Sequence, residues 1–159
     1  MVCQKPVPGA QSILELLYLA GWTGWKGAKQ LGFLVQRPGL DRVLFGEKSL
    51  LEILLYNLLD NARKASNPGS KITLLGGTTP GGFCFAVKDR GRGIPPEALS
   101  RITEPFYMVD KSRSRAEGGA GLGLALGQRI AQLHGTALRY DSKVGRGTVV
   151  SFVLREAEK

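Results

Sequence analysis

Asn57-Leu58-Leu59-Asp60-Asn61-Ala62-Arg63-Lys64 sets two asparagines four residues apart, with a lysine three further on. On a helix these three side chains leave from nearly the same side. Leu51, Leu54, Leu55, Leu58, Ala62 and Ala65 make a separate apolar stripe beside them, the side that would pack on a sheet. The spacing predicts an amphipathic helix over 47–65, closed by Asn67-Pro68-Gly69, with one face for the core and one for a ligand.

Outward from that helix, 12–20 reads as an earlier helix, and the Gly/Trp stretch that follows it, with Trp22 and Trp25, as helix or loop whose tryptophans pack inward or, as the alternative, form a docking surface for another domain. Two short strands are expected over 33–36 and 42–45, around a Pro38-Gly39 turn. A hairpin is expected from 71–75 and 83–89 across the glycine-rich 76–82, and a second from 137–141 and 148–154 across 145–147. Between them lie a long irregular segment over 91–120, with one short helix near 96–101, and an amphipathic helix over 121–134. The sum is an α/β (α+β) two-layer sandwich: a mixed, mostly antiparallel sheet covered on one side by about three helices. The 159 residues are read as one domain, with 1–11 loosely ordered.

The hydrophobic share of 43% is that of an ordinary soluble protein. No apolar run approaches the roughly 18 to 20 residues of a membrane span, and the first ten residues lack the apolar stretch of a signal peptide. The chain is therefore expected in the cytoplasm, by itself or as a cytoplasmic piece of a longer and membrane-anchored protein, with no membrane contact by this segment. Cys3 and Cys84 suggest neither a disulfide framework nor a zinc site. A formal charge of +9 suits nucleic acid, an acidic protein or a polyphosphate. Lys111, Arg113 and Arg115 cluster in one expected loop and no aromatic-interleaved basic stripe appears, which argues against nucleic acid.

Asp89-Arg90-Gly91-Arg92-Gly93-Ile94 puts a carboxylate at the end of an apolar strand. A carboxylate only accepts hydrogen bonds, so it pairs with the amino group of adenine and repels the keto oxygen of guanine. Gly91 and Gly93 would let the backbone turn sharply and lie close to the purine; these residues taken alone favour a plain Asp-Gly turn with a solvated aspartate. Gly118-Gly119-Ala120-Gly121-Leu122-Gly123-Leu124 runs into a helix, so its amides can cradle phosphate, although a hinge or a helix-packing cluster would have the same composition. It matches neither the P-loop nor the dinucleotide fingerprint. Asn61 offers Mg²⁺ a neutral oxygen and Lys64 can answer phosphate charge, the alternative being a solvated helix surface.

Taken together, these motifs resemble the nucleotide-binding domain of sensor histidine kinases, within the group that includes DNA gyrase, Hsp90 and the MutL proteins. The resemblance rests on the 57–64 stretch, on Asp89 to Pro95, on Glu104-Pro105-Phe106-Tyr107, on Gly119 to Leu124 and on Gly145-Arg146-Gly147-Thr148. It implies ATP and Mg²⁺ as ligands. It assigns catalysis to Asn57 and Lys64, Mg²⁺ to Asn61, adenine to Asp89, and support of Asp89, through water, to Thr148. Gly91, Gly93, Ile94, Gly119, Gly121, Leu122, Gly123 and Leu124 would line the nucleotide. The stretch 105–120 would be a mobile lid, with Tyr107 near the base and Lys111, Arg113 or Arg115 reaching the terminal phosphates.

Gyrase-like ATPases resemble one another in having a glutamate where this chain has Asn57, and an amide cannot act as a general base. The resemblance therefore favours a kinase over a slow gyrase-type ATPase; an ATP-binding regulatory or scaffold module is the other reading. The single histidine, His134, ends a helix before Gly135 and reads as structural. The phosphoacceptor is expected on a separate dimerisation domain, with a response regulator as indirect partner and this segment alone a monomer.

Overall fold

The structure, a computed structural model, describes residues 5–7, 32–36, 44–112 and 119–156. The chain runs β1 (Lys5–Val7), β2 (Gly32–Gln36), β3 (Leu44–Gly46), α1 (Lys48–Ala65), β4 (Lys71–Thr79), β5 (Gly82–Lys88), α2 (Pro96–Leu99), α3 (Gly123–Leu133), β6 (Arg139–Lys143) and β7 (Gly147–Leu154). Five strands form a sheet in the order β2-β4-β5-β7-β6. β2 runs parallel to β4 and the remaining pairs are antiparallel, so the sheet is mixed and mostly antiparallel. β1 and β3 pair separately, Lys5 opposite Gly46.

Alternation in the strands supplies one side of the core. Ile72 and Leu74, then Phe83, Phe85 and Val87, then Val150, Phe152 and Leu154 are buried, every second residue facing the helices. Phe85 stacks on Phe152 at 5.2 Å between ring centroids and meets Phe83 edge-on at 5.0 Å. The other side is α1, which buries Leu51, Leu54, Leu55, Leu58, Leu59 and Ala62, matching the stripe in the sequence. Ile130 and Ala131 of α3 join them. A methyl at Gly127 would lie 3.1 Å from Leu54 Cδ1, so the glycine lets α3 settle against α1.

Several boundaries differ from the sequence reading. The first hairpin keeps pairing through Gly76, Gly77 and Thr78 to Thr79 opposite Gly82, because Gly76 leaves room for the Phe83 ring, 2.9 Å from where a Cβ would stand. The strands expected over 33–36 and 42–45 do not pair with each other: β2 joins β4 and β3 joins β1. α3 begins at Gly123, two residues after its expected start, and α2 stops at Leu99. The helix expected over 12–20, Trp22, Trp25 and Cys3 lie outside the described residues.

Local chemistry sets the ends of α1. Glu47 caps it by accepting the Leu50 amide on Oε2 at 2.8 Å, and the Ser66 hydroxyl closes it on Ala62 O at 2.7 Å. Asn57, Asn61 and Lys64 are thereby fixed on its free side.

Candidate functional site

Asp89 lies just past the end of β5, 5% exposed. Its Oδ1 accepts the Gly91 amide at 2.8 Å and the Thr148 amide at 3.2 Å, and its own amide donates to Thr148 O at 2.9 Å. These bonds aim one oxygen at the backbone and hold the carboxyl in a fixed orientation. Burial raises its pKa; the Gly91 and Thr148 amides and the charge of Arg92 pull the other way. Thr148 thus supports Asp89 directly through its backbone amide. The Thr148 hydroxyl is 2.7 Å from Ser142 Oγ, and Ser142 in turn accepts the Ile94 amide at 2.8 Å. Ser142 fastens the loop after Asp89 to the β6–β7 hairpin.

The glycines of this loop are also demanded by the backbone packed against them. A methyl at Gly91 would stand 2.4 Å from Ala65 O, and one at Gly93, where φ is +72°, 2.2 Å from Lys143 O. Close approach to α1 and to the hairpin demands them; Gly93 lines the adjoining cavity and Gly91 does not.

Two cavities open here. One, of about 220 Å³, has apolar walls from Leu58, Ala62, Val87, Ile94, Leu124 and Val150, with Asp89 and Thr148 as polar groups. The other, of about 250 Å³, is lined by Asn57, Asp60, Asn61, Lys64, Arg92, Met108 and 119–123. Asn61 and Arg92 line both, so the two are chambers of one cleft. Together they reach the range of about 300 to 1,000 Å³ usual for small-molecule sites.

The second chamber is polar and lies at the start of α3. A methyl at Gly123 would be 3.5 Å from Asn57 Oδ1 and 3.7 Å from Asn61 Nδ2, so the glycine-rich segment abuts both asparagines. Nδ2 of Asn57 and Nδ2 of Asn61 are buried donors with no acceptor among the described residues. An unpaired buried donor costs about 1 to 3 kcal/mol, which an acceptor oxygen entering the chamber would relieve. Lys64 Nζ sits 2.7 Å from Asp60 Oδ2, while Arg63 holds Oδ1 at 2.8 Å.

The stretch between the chambers is clasped at its base: the Phe106 amide donates to Gly121 O at 2.9 Å, and Phe106 takes a positive φ of 66°, an unusual conformation for a residue with a side chain. Met108 lines the polar chamber, and Val109 and Asp110 the apolar one. Tyr107 lines neither; its ring lies under the Arg101 guanidinium at 4.5 Å, a difference from its expected place near the base. Lys111 is exposed and lines neither chamber; Arg113 and Arg115 lie outside the described residues. Among the other expected residues, Asn57, Asn61, Lys64, Gly119, Gly121, Leu122 and Gly123 share the polar chamber, and Asp89, Gly93, Ile94, Leu124 and Thr148 the apolar one.

Ser142, Arg92 and Asp110 escaped the sequence reading. Ser142 had no local signal, since its partner Ile94 is 48 residues away. Arg92 stands inside the Asp89 motif, whose reading rests on the carboxylate and the glycines alone.

The model of the histidine kinase-, DNA gyrase B- and HSP90-like ATPases matches residues 46–158. Sensor-like histidine kinase SenX3 of Mycobacterium tuberculosis (strain H37Rv) is 42% identical over 117 residues, 74% of this chain and 28% of that protein. Sensor histidine kinase YkoH of Bacillus subtilis (strain 168) is 40% identical over 110 residues, 69% of this chain and 24% of that protein. The structure of the mycobacterial sensor histidine kinase MprB superposes with a TM-score of 0.80 at 25% identity, covering 98% of this chain and 99% of that one. The chain thus spans about a quarter of the length of the curated relatives it matches.

Proposed function

Because the chain belongs to the histidine kinase-, DNA gyrase B- and HSP90-like ATPase family, we propose that it is the ATP-binding catalytic part of a sensor histidine kinase. In this reading it transfers the γ-phosphoryl group of Mg²⁺-ATP to a histidine on a separate dimerisation and phosphoacceptor domain, and a response regulator receives the group afterwards. One cleft with a buried carboxylate at one end and a polar chamber at the other, joined at Asn61 and Arg92, is the observation that supports it most.

Asp89 keeps the accepting side of its carboxylate for the amino group of adenine, between the apolar walls of the first chamber. The Nδ2 donors of Asn57 and Asn61, the 119–123 amides and Lys64 meet phosphate oxygens in the second. Lys64 must exchange Asp60 for phosphate to do so. The donor set fits Mg²⁺: Asn61 gives one neutral oxygen, and Mg²⁺ takes the rest of its shell from phosphates and water. The bound ion would supply charge neutralisation at the phosphates.

Asn57 lacks the basicity to draw a proton from water, so bound ATP waits for an acceptor. The acceptor nitrogen forms a bond to the γ-phosphorus, the bond to the bridging oxygen breaks, and ADP leaves with that electron pair. His134 does not serve as acceptor here, being 5% exposed with both ring nitrogens engaged. The proposed place of action is the cytoplasm, with the isolated chain a monomer acting as one ATP-binding unit whose lid covers 105–120. Among the described residues no helix is long and apolar enough to cross a membrane.

Calorimetry with ATP, ADP and GTP in the presence of Mg²⁺ tests the reading, with Asp89→Asn beside the intact chain. Binding of ATP and ADP but not GTP, lost in the variant, is the expected result. A folded chain that binds no adenine nucleotide would overturn it.

A further inference from the structure

Among the described residues, only Asn61 and Arg92 line both chambers of the cleft. A nucleotide with its base at Asp89 and its terminal phosphates beside Lys64 has to cross between these two side chains, and the part that lies there is the sugar with its first phosphate. Asn61 belongs to α1 and faces the crossing from one side. Arg92 faces it from the loop after β5.

The backbone of Arg92 is held at both ends of the residue: its amide donates to Ala65 O at 3.1 Å and its carbonyl accepts the Gly145 amide at 2.7 Å. The neighbouring glycines are wedged against Ala65 O and Lys143 O, where methyl groups would stand at 2.4 and 2.2 Å. The side chain therefore leaves from a rigid base and is itself exposed. Its charge already reaches the first chamber, where it acts on Asp89. A guanidinium keeps its charge at any working pH and offers a planar fork that matches two phosphate oxygens.

We propose that Arg92 is a binding residue for the phosphate nearest the sugar, gripping the nucleotide at the junction of the two chambers. This assignment rests on the ATP reading above. It gives the first glycine loop two tasks: Asp89 reads the base, and Arg92, three residues on, anchors the sugar-phosphate link. Adenosine, AMP, ADP and ATP then differ in a defined way. Every ligand that carries a first phosphate uses Arg92, whatever follows it, and adenosine does not.

Arg92→Gln removes the charge while keeping a polar side chain of moderate length, and Arg92→Lys restores charge without the fork. Affinities of the intact chain and both variants for the four ligands should be measured by calorimetry, with thermal melting as the check on folding. Arg92→Gln should weaken AMP, ADP and ATP alike, by about tenfold for the loss of a charge-assisted contact, with adenosine unchanged and Arg92→Lys in between. Equal affinities across the series, a loss confined to ATP, or an equal loss for adenosine would each overturn the assignment while leaving the ATP reading in place. An intact, folded chain that binds none of the four would overturn the ATP reading, and this assignment with it.

Discussion

His134 Nε2 accepts the backbone amide of Glu47 at 2.9 Å across 87 residues of chain, while its Nδ1 donates to Ile130 O at 2.8 Å. The end of α3 is thereby tied to the residue that caps α1, the helix carrying Asn57 and Asn61. His134→Phe keeps a planar ring but leaves the Glu47 amide without its acceptor. The expected cost is roughly 2 to 4 kcal/mol for a part-buried pair of hydrogen bonds, read as a lower urea midpoint. His134→Gln, which can still accept, should cost less. The intact chain incubated with radiolabelled ATP should carry no phosphoryl group at position 134.

Asp89 yields a pH dependence whose sign is fixed by its burial. Its folded pKa is raised above the ordinary 3.8, so the folded state holds the proton more tightly than the unfolded one. Its contribution to stability is fully present below that ordinary value and is lost as pH rises through the raised pKa. Ligand binding runs the opposite way, because adenine needs the accepting carboxylate. Nucleotide affinity should fall as the pH drops toward the raised pKa. Asp89→Asn should abolish adenine selectivity while leaving the melting temperature at neutral pH equal to or slightly above that of the intact chain, since a buried charge is removed. A variant that both unfolds and loses binding would contradict this account.

Close approach makes Gly93 the least replaceable residue of its loop. A Cβ there would meet Lys143 O at 2.2 Å in a backbone with φ at +72°. Gly93→Ala adds left-handed strain of about 1 to 3 kcal/mol to a clash with backbone that cannot turn aside. Chemical denaturation should show a loss at the upper end of that span or beyond. Gly145→Ala, also at positive φ but with nothing within 4 Å, should lose only the strain.

The helix over α1 was legible because its signal is local: five of the six apolar positions at helical spacing became the buried face, joined by Leu59, with Ala65 half-buried. The candidate site residues of α1 share that period, Asp89 shows as a carboxylate ending an apolar strand before two glycines, and 119–123 as glycines running into a helix. What escaped depends on contacts distant in sequence. β2 reads as a short strand before a Pro38-Gly39 turn, with nothing local to name its partner; it pairs in parallel with β4, and parallel partners leave no turn signal between them. Tyr107 reads as a base contact until Arg101 and Glu104 are seen around it: the guanidinium covers the ring and is itself held by the carboxylate at 3.1 Å. His134 showed its place at a helix end, but not the Glu47 amide that it accepts.

Ser142 carries a bond network that composition does not advertise. It accepts the Ile94 amide, and its hydroxyl lies 2.7 Å from Thr148 Oγ1 and 3.2 Å from Gly147 O. Ser142→Ala leaves the Ile94 amide without an acceptor and removes one of the ties between the loop and the hairpin that also positions Asp89; the Gly145 amide on Arg92 O remains. Stability should fall by about 1 to 2 kcal/mol, and adenosine affinity should fall with it. Ser142→Thr, which restores the hydroxyl on β6, the edge strand of the sheet, should recover most of the binding; calorimetry with adenosine separates the two variants.

Asp60 places a carboxylate in the chamber assigned to phosphate. Both of its oxygens are engaged, Oδ1 by Arg63 and Oδ2 by Lys64, so the acid is neutralised in place but competes for the cation that phosphate needs. The side chains are 17 to 32% exposed, and pairs of this kind at helical spacing contribute only about 0.3 to 0.5 kcal/mol to stability. Asp60→Asn should therefore lower the melting temperature slightly. Its larger effect should be on affinity: one repulsive charge is gone and Lys64 is released. ATP and ADP should bind about three to ten times more tightly, a range set by a charge interaction of order 1 kcal/mol in a solvent-accessible cleft, while adenosine stays unchanged. Weaker ATP binding by a folded Asp60→Asn variant would mean instead that the ion pair holds Lys64 where phosphate meets it, and would reverse the role given to Asp60.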